Sequence, residues 1–148
     1  MSKAAGMLKL KDTAQYCVVS FHTISSNSED YYTKEELEEI GVIEGEIQRL
    51  LPDEHIYRNL NQIVCIHEIK PGETQAGFRE EMEKLYQTVQ KQIFHRNKAT
   101  DFQIGIGSIV NGYGDLKKSF KDSKKIIDYM DMLRYLYGDK NISVADFS

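Results

Sequence analysis

The stretch from Asp101 to Tyr129 constrains the fold of this chain more than any other part of the sequence. It opens with alternating apolar residues, a period of two that predicts a β-strand: Phe102, Ile104 and Ile106. Between and after them, Gly105 and Gly107 carry no side chain, so another backbone can come close to the strand. We therefore expect this strand to pack tightly against a second element.

That second element is a helix, which the sequence predicts directly after a turn rich in asparagine and glycine. Asp115 stands where an N-cap belongs, because its carboxylate can accept bonds from unpaired helix N–H groups. The apolar positions recur at helical steps: Leu116, Phe120, Ile127 and Met130. Ser119 and Ser123 lie on the same stripe, where small side chains allow close approach to a sheet.

The length and composition of the chain favour one domain that spans residues 1–148, with 1–14 either flexible or an edge strand. The net charge of −4 argues against a general nucleic-acid binder. Cys17 and Cys65 lie in apolar runs, which predicts reduced thiols and a cytoplasmic protein. The N-terminus has no apolar core of a signal peptide, and no apolar run approaches the ~18 residues of a membrane span.

The first half of the chain predicts strand, helix and hairpin. Residues 16–24 alternate as a strand with Val19 on one face and Ser20 on the other. Thr33 and Glu36 form a capping box for a helix that ends before Pro52. The helix has glycines at 41 and 45, so we expect a bend or two shorter pieces. Two apolar-rich runs, 55–58 and 62–69, predict a β-hairpin with a three-residue turn.

The second half adds a helix over 74–94, the strand and helix described above, and a final strand from Ile142. The helix over 74–94 has a predicted buried stripe: Phe78, Met82, Leu85, Val89 and Ile93. The order β-α-β-β-α-β-α-β predicts an α+β fold, a ferredoxin-like antiparallel sheet with packed helices and an added helix and strand at its edge. The first strand should lie in the interior of the sheet near Val19, beside the third strand near Val64.

No local sequence motif identifies a catalytic reaction or a bound ligand. The glycines of the central stretch lack the spacing of a phosphate-binding loop, so a closely packed strand and an ordinary turn are the better interpretation. The four histidines lie on separate elements without a metal-type pair, which leaves open only a metal site assembled in three dimensions. The lysines between 117 and 125 form a basic helix face, either a solvated surface or a site for an anionic partner.

The order of elements and the central stretch resemble the nucleotidyl-cyclase-like GGDEF superfamily. The resemblance is closer to the degenerate GGDEF-like domains of bacterial transcription regulators of the PucR/CdaR and AraC types. Its most telling parts are FQIGIGSI, similar to the family's small S-I-G strand, and DLKKSFKDSKKIIDY, similar to its D-L-x-x-S-[YF]-x-E-A helix. The family's acidic position in that helix is Asp122 here, and its alanine is Ser123.

The resemblance implies that catalysis is absent. Active diguanylate cyclases of the superfamily need a Gly-Gly-Asp-Glu-Phe turn and an Asp on the first strand, which hold Mg²⁺ for phosphoryl transfer. Here the turn over 59–63 reads NLNQI, and Ser20 and His22 stand at the strand positions. Amides, a hydroxyl and an imidazole do not replace carboxylates at Mg²⁺. We therefore expect no enzyme activity, no catalytic residue, no metal and no cofactor.

The resemblance also implies partners. Such domains sit between a sensory module and a helix-turn-helix module, so we expect a regulatory domain excised from a longer regulator. We expect either a monomer or a weak homodimer, DNA contact only through another domain and no membrane contact. Candidate interaction surfaces are the helix over 33–51 and three lysines: Lys117, Lys121 and Lys124. The alternative is a sensor that binds a small molecule or nucleotide in the degenerate pocket, bordered by Ser20, His22, Arg58, Asn61 and Gln62.

Overall fold

Strands and helices follow one another in the predicted order, with a short strand and a 3-10 turn added before the last helix. The computed structural model describes residues 10–24, 34–59, 62–95, 101–137 and 143–146. The elements are β1 (Gln15–Ile24), α1 (Lys34–Leu50), β2 (His55–Asn59), β3 (Gln62–Glu68), α2 (Gln75–His95), β4 (Asp101–Ile106), β5 (Val110–Asn111), a 3-10 turn (Tyr113–Asp115), α3 (Leu116–Tyr137) and β6 (Val144–Asp146). The chain is an α+β protein, as the order predicts.

The described strands form one sheet, with β1 at its centre. The strand order is β2-β3-β1-β4-β6, and β5 pairs with the start of β1. Val19 lies opposite Cys65 of β3 and Ile106 of β4, which confirms its predicted place in the interior. Among these strands only the edge pair of β4 and β6 is parallel, because α3 makes the crossover between them. The expectation of an antiparallel sheet is therefore wrong at that edge alone.

The alternation of β1 separates two hydrophobic layers. Cys17, Val19 and Phe21 face α1 and α2, where they form one core with apolar residues of both helices. Tyr16 and Val18 point the other way and pack with Leu116 of α3. Burying a large apolar side chain contributes about 1.5–3 kcal/mol, so both layers hold their helices firmly. The sheet is thus covered by α1 and α2 on one face and by α3 on the other.

The helix α2 agrees with its sequence pattern. Thr74 caps its start, because its Oγ1 accepts a bond from the N–H of Gly77 at 3.0 Å. All members of the predicted stripe are buried: Phe78, Met82, Leu85, Val89 and Ile93. None of the helices in the described part of the chain is both long enough and apolar enough to cross a bilayer.

The helix α1 differs from its prediction. It runs unbroken from Lys34 to Leu50, so the expected division into two pieces is wrong. The buried Ile40, Ile43 and Ile47 hold it against the core and outweigh the cost of its glycines. Helix formation begins where the capping box places it, but Thr33 itself lies outside the described residues.

The hairpin is tighter than the sequence suggests. Asn59 still pairs with Gln62 in the ladder, so two residues, rather than three, separate β2 from β3. Near α3, Asp115 ends the 3-10 turn immediately before the helix begins, which agrees with a helix boundary at that residue. The predicted turn at 138–141 and the start of the final strand at Ile142 lie outside the described residues.

The close packing predicted for the central stretch is present between β4 and α3. A Cβ atom built on Gly105 would lie 2.7 Å from the backbone oxygen of Ser123. A Cβ on Gly107 would lie 2.1 Å from the backbone oxygen of Ser119. Both separations are far below van der Waals contact, so only glycine fits at these two positions while the helix stays in place.

Both cysteines are free and buried, as predicted. Burial raises the pKa of Cys17 to about 12, and the negative charges of Glu73 and Glu54 act in the same direction. Burial also raises the pKa of Cys65 well above its ordinary value. The two thiols are therefore protonated at neutral pH and pack as small apolar side chains.

Gly107→Ala should destabilise the fold by about 1–3 kcal/mol or more, because its methyl group must push α3 away from the strand. Gly45→Ala is the matched control. Gly45 lies in α1 with no atom within 4 Å of an added Cβ, so alanine should stabilise the helix by up to about 1 kcal/mol. Urea unfolding measures both changes. Equal stability of the two variants would contradict the close contact between β4 and α3.

Candidate functional site

Ser20, the first candidate position on β1, lies under α3. Its side chain is fully buried, and its Oγ is 2.7 Å from the Oγ of Ser123. The Ser123 hydroxyl lies 2.7 Å from the carbonyl of Phe120, to which it donates its only proton. Ser20 must therefore donate to Ser123. The hydroxyl is already used inside the protein, and no ligand reaches it without displacement of α3.

A second serine of α3 completes the ladder of β1. Val18 lies between the parts of β1 that pair with β4 and with β5, so its N–H has no strand partner there. It donates instead to Ser119 Oγ at 2.8 Å, and Ser119 Oγ donates to the carbonyl of Ser108 at 2.6 Å. Gly107 N–H in turn donates to the Val18 carbonyl at 2.8 Å. One side chain of α3 thus replaces a sheet hydrogen bond of β1.

His22, the other candidate on β1, lies at the centre of a polar row. It is opposite Gln62 of β3 and Gln103 of β4. Gln103 is fully buried, and with its amide oriented to satisfy both neighbours it donates to Asp131 Oδ1 at 2.8 Å and accepts from Arg134 Nη2 at 3.3 Å. This cluster was not predicted. The available signal was a glutamine between two buried residues of an otherwise apolar strand.

The polar row retains unused hydrogen-bonding capacity. Within the described part of the chain, three buried nitrogens have no partner: His22 Nδ1, Gln62 Nε2 and Arg134 Nε. Burial lowers the pKa of His22, an effect that the charge of Asp131 opposes and that of Lys124 supports. The imidazole is therefore neutral at neutral pH. Unpaired buried groups of this kind mark a place where a small polar molecule or water would be stabilised.

Arg58 does not belong to this row. It pairs with Ile63, one residue along from Gln62, so its side chain is on the opposite face of the sheet. Its Nη1 lies 3.3 Å from Glu44 Oε1 and its Nη2 donates to the Leu37 carbonyl at 3.3 Å, both on α1. Of the predicted pocket residues, the structure thus brings together Ser20, His22 and Gln62. Asn61 lies outside the described residues.

The lysines of the predicted basic face differ in how far they are exposed on α3. Lys117 and Lys121 are exposed and line a shallow open depression together with Lys118 and Lys125. Lys124 is half-buried on the flank that faces His22, whose pKa its charge helps to lower. The three lysines follow one another at steps of four and three residues on one side of α3, and Lys124 is less exposed than the other two.

Asp122 fastens the start of α3 to the loop after β4. Its Oδ2 accepts from Ser108 Oγ at 2.5 Å and from Lys118 Nζ at 3.1 Å. The bond from Ser108 lowers the pKa of Asp122, and Lys118 and Lys125 add to this effect against the opposing influence of burial. The carboxylate is ionised at neutral pH and fully engaged in holding the loop.

A second titratable cluster lies on the other sheet face. His67 is buried, and its Nδ1 lies 2.5 Å from Glu54 Oε1 while its Nε2 lies 2.9 Å from Glu73 Oε1. Its ring stacks on Phe78 with centroids 4.1 Å apart. Burial alone lowers the pKa of His67, but the hydrogen bonds and charges of the two glutamates outweigh it and raise the pKa. The His67 ring links the loop before β2 to the loop before α2.

The described residues contain no group of three or more His, Cys, Asp or Glu side chains arranged to hold a metal ion. On β1 the only polar groups at the superfamily's metal positions are the Ser20 hydroxyl and the His22 imidazole. These donors do not fit Mg²⁺, which prefers carboxylate oxygens and water. The described part of the site therefore supports hydrogen bonding to a polar ligand better than metal chemistry.

Comparison with known proteins identifies a family. A family model described as GGDEF-like domain matches residues 1–129, from the start of the sequence into α3. A search of curated proteins and a search of solved structures each found no significant match. The family match includes β1, the hairpin, β4 and the first part of α3, and the stretches of β4 and α3 are those that carry the sequence resemblance.

The two perturbed histidines should give stability opposite pH slopes. The raised pKa of His67 stabilises the fold below the unfolded value of about 6.5, and this contribution is lost as pH rises through the folded pKa. The lowered pKa of His22 has the other sign, so stability falls as pH drops below about 6.5 and the unfolded chain takes up the proton.

Urea unfolding across pH checks both slopes. In His67→Gln, the free energy of unfolding should fall less as pH rises above about 6.5. In His22→Gln, it should fall less as pH drops below about 6.5. Each variant serves as the control of the other, since a general loss of stability shifts the whole profile without changing one slope. An alkaline slope that persists in His67→Gln would contradict the role given to the Glu54–His67–Glu73 cluster.

Proposed function

This chain belongs to the GGDEF-like domain family, and we propose that it is a non-catalytic regulatory domain of a bacterial transcription regulator. In this proposal the domain is one module of a longer cytoplasmic protein. It relays a signal between a sensory module and a helix-turn-helix module, and DNA is contacted only by the latter. The observation that carries the proposal is the state of Ser20, which is buried and hydrogen-bonded under α3.

The chemistry of β1 supports the proposed absence of catalysis. Phosphoryl transfer by the superfamily uses Mg²⁺ held by carboxylates, which stabilise charge on the reacting phosphate. Ser20 supplies a neutral hydroxyl that is already donated to Ser123, and His22 supplies a neutral imidazole. Neither group provides the negative charge that a divalent cation requires. No step of a cyclase reaction can be assigned to these residues.

A role by contact is supported by what remains on the surface. The inner side of α3 is fixed to β1 and β4 through Ser119 and Ser123, so its outer side is presented in a constant orientation. Lys117 and Lys121 are exposed on that outer side. On α1, Gly45 is also exposed with open space around it, whereas Gly41 faces the guanidinium of Arg58. These are the surfaces through which flanking modules would bind.

A second candidate function is supported by the polar row around His22. The unpartnered nitrogens of His22 and Gln62 lie on neighbouring strands, and both can bond to a small polar ligand. In this alternative the domain is a sensor of a metabolite or nucleotide. A ligand that binds only the folded state raises the melting temperature, and His22→Ala with Gln62→Ala should remove that rise. The regulatory proposal without a ligand predicts no such rise.

The chain should form no cyclic di-GMP from GTP in the presence of Mg²⁺ or Mn²⁺, because β1 lacks the metal-binding carboxylates. Chromatographic separation of nucleotides after incubation measures the product, with an active diguanylate cyclase as the positive control. Metal-dependent product that disappears in Gln62→Ala would show that the degenerate site is catalytic and would refute the non-catalytic role.

A further inference from the structure

The outward face of α3 changes character along its length. In the first half it carries the exposed side chains of Lys118, Lys121 and Lys125. In the second half the same line continues with Tyr129, Met132 and Leu136, which are 52%, 48% and 58% exposed. Steps of three and four residues place all six on one side of the helix, opposite the side that packs on the sheet.

The apolar half of this line is unusual for an exposed surface. Tyr135 lies beside it and is 89% exposed, so four large apolar side chains follow one another within two helical turns. In the described part of the chain, α1 and α2 pack on the opposite face of the sheet, and no other element lies over the outer side of α3. A contiguous exposed patch of this kind indicates an interaction surface.

The distribution of charge along α3 indicates what kind of partner binds its exposed side. The first half of α3 is basic, whereas the second half carries the exposed Asp128 next to Tyr129. A parallel pair of such helices would place lysines against lysines. An antiparallel pair places the lysines of one helix against the carboxylate and aromatic rings of the other. Lysine stems cover apolar side chains well, and their ammonium groups are attracted by tyrosine rings and by carboxylates.

We propose that α3 pairs with α3 of a second copy of this chain, antiparallel and about a two-fold axis near the middle of the helix. In this register Lys125 lies opposite Asp128 and Tyr129 of the second copy, and Lys118 lies opposite Leu136. Because of the two-fold symmetry, each contact occurs twice. Both copies of the surface are then used, so the assembly stops at a dimer. This inference rests on the proposed function in one respect, which is that the domain acts by contact with other domains.

The dimer is weak. A helix of 22 residues is about 33 Å long, and one of its sides buries less than the roughly 800 Å² per partner of a standard stable interface. We therefore expect a dissociation constant of roughly 10 µM to 1 mM. Salt should weaken the dimer only in part, because the charged contacts are screened while the apolar contacts are not.

Sedimentation equilibrium of the full 148-residue chain over this concentration range tests the proposal. Lys125→Glu should weaken the dimer about tenfold, because two attractive contacts become repulsive. Asp128→Lys should do the same. An equimolar mixture of the two variants should recover the original affinity, since an antiparallel heterodimer restores both charge pairs. Lys91→Glu, an equal charge change on the exposed side of α2, is the matched control and should have no effect.

The mixture is decisive for the antiparallel geometry. A chain that stays monomeric throughout the range, a Lys125→Glu variant that dimerises normally, or a mixture that recovers no affinity would each overturn the proposal. Because all of these residues are exposed, unchanged melting curves are expected and exclude misfolding as the cause. The GTP assay is independent of this result, so a failure of α3 pairing is distinguishable from a failure of the non-catalytic role.

Discussion

The contact of Gly105 in β4 and Gly107 just after it with the backbone of α3 is the constraint on which the rest of this structure depends. With Gly105 and Gly107 in place, α3 comes near enough for Ser119 and Ser123 to bond directly to β1. A wider separation would leave these buried polar groups unpaired, at a cost of about 1–3 kcal/mol each. The small residues and the serines therefore act as one unit, in which the close approach makes the hydrogen bonds attainable.

This set of glycines and serines limits the function of the sheet face that α3 covers. A strand position that would hold a metal ligand in an active cyclase is instead buried against the helix, with its hydroxyl proton donated to Ser123. The same bonds fix the orientation of α3, whose outer side is exposed from Lys117 to Leu136. Closure of the inner side and exposure of the outer side both favour a domain that acts by binding to other protein surfaces.

The opposite face is held by different means. There the packing of α1 and α2 is accompanied by the buried cluster of Glu54, His67 and Glu73, which connects two loops through one imidazole. Two carboxylates share this one imidazole, so removal of the His67 ring would leave both glutamates without their common hydrogen-bond partner. This cluster couples the position of the hairpin to the start of α2, independently of the contact between β4 and α3.

Much of this architecture was predictable because its signals are local. Periods of two and of 3.6 residues placed the strands and helices, and the glycines of the central stretch indicated its close packing. The sheet face on which the Arg58 side chain lies was not predictable. Arg58 was assigned to the predicted pocket because it is close to the hairpin turn in the sequence. Neighbouring strand residues face opposite sides, so one position decides the face. The bonds of Gln103 to Asp131 and Arg134, and of His67 to its glutamates, join different elements or loops and leave no periodic pattern in the sequence.

The central claim is that this domain works by contact rather than by chemistry, and transcription from a regulator that carries it is the most direct measurement. Lys117→Glu and Lys121→Glu change exposed charges and leave out Lys124, which is half-buried and whose charge lowers the pKa of His22. With the isolated domain still melting normally, the account predicts that the double variant weakens the transcriptional response to the upstream signal. A response that is unchanged both in this variant and after deletion of residues 15–148 would contradict the account.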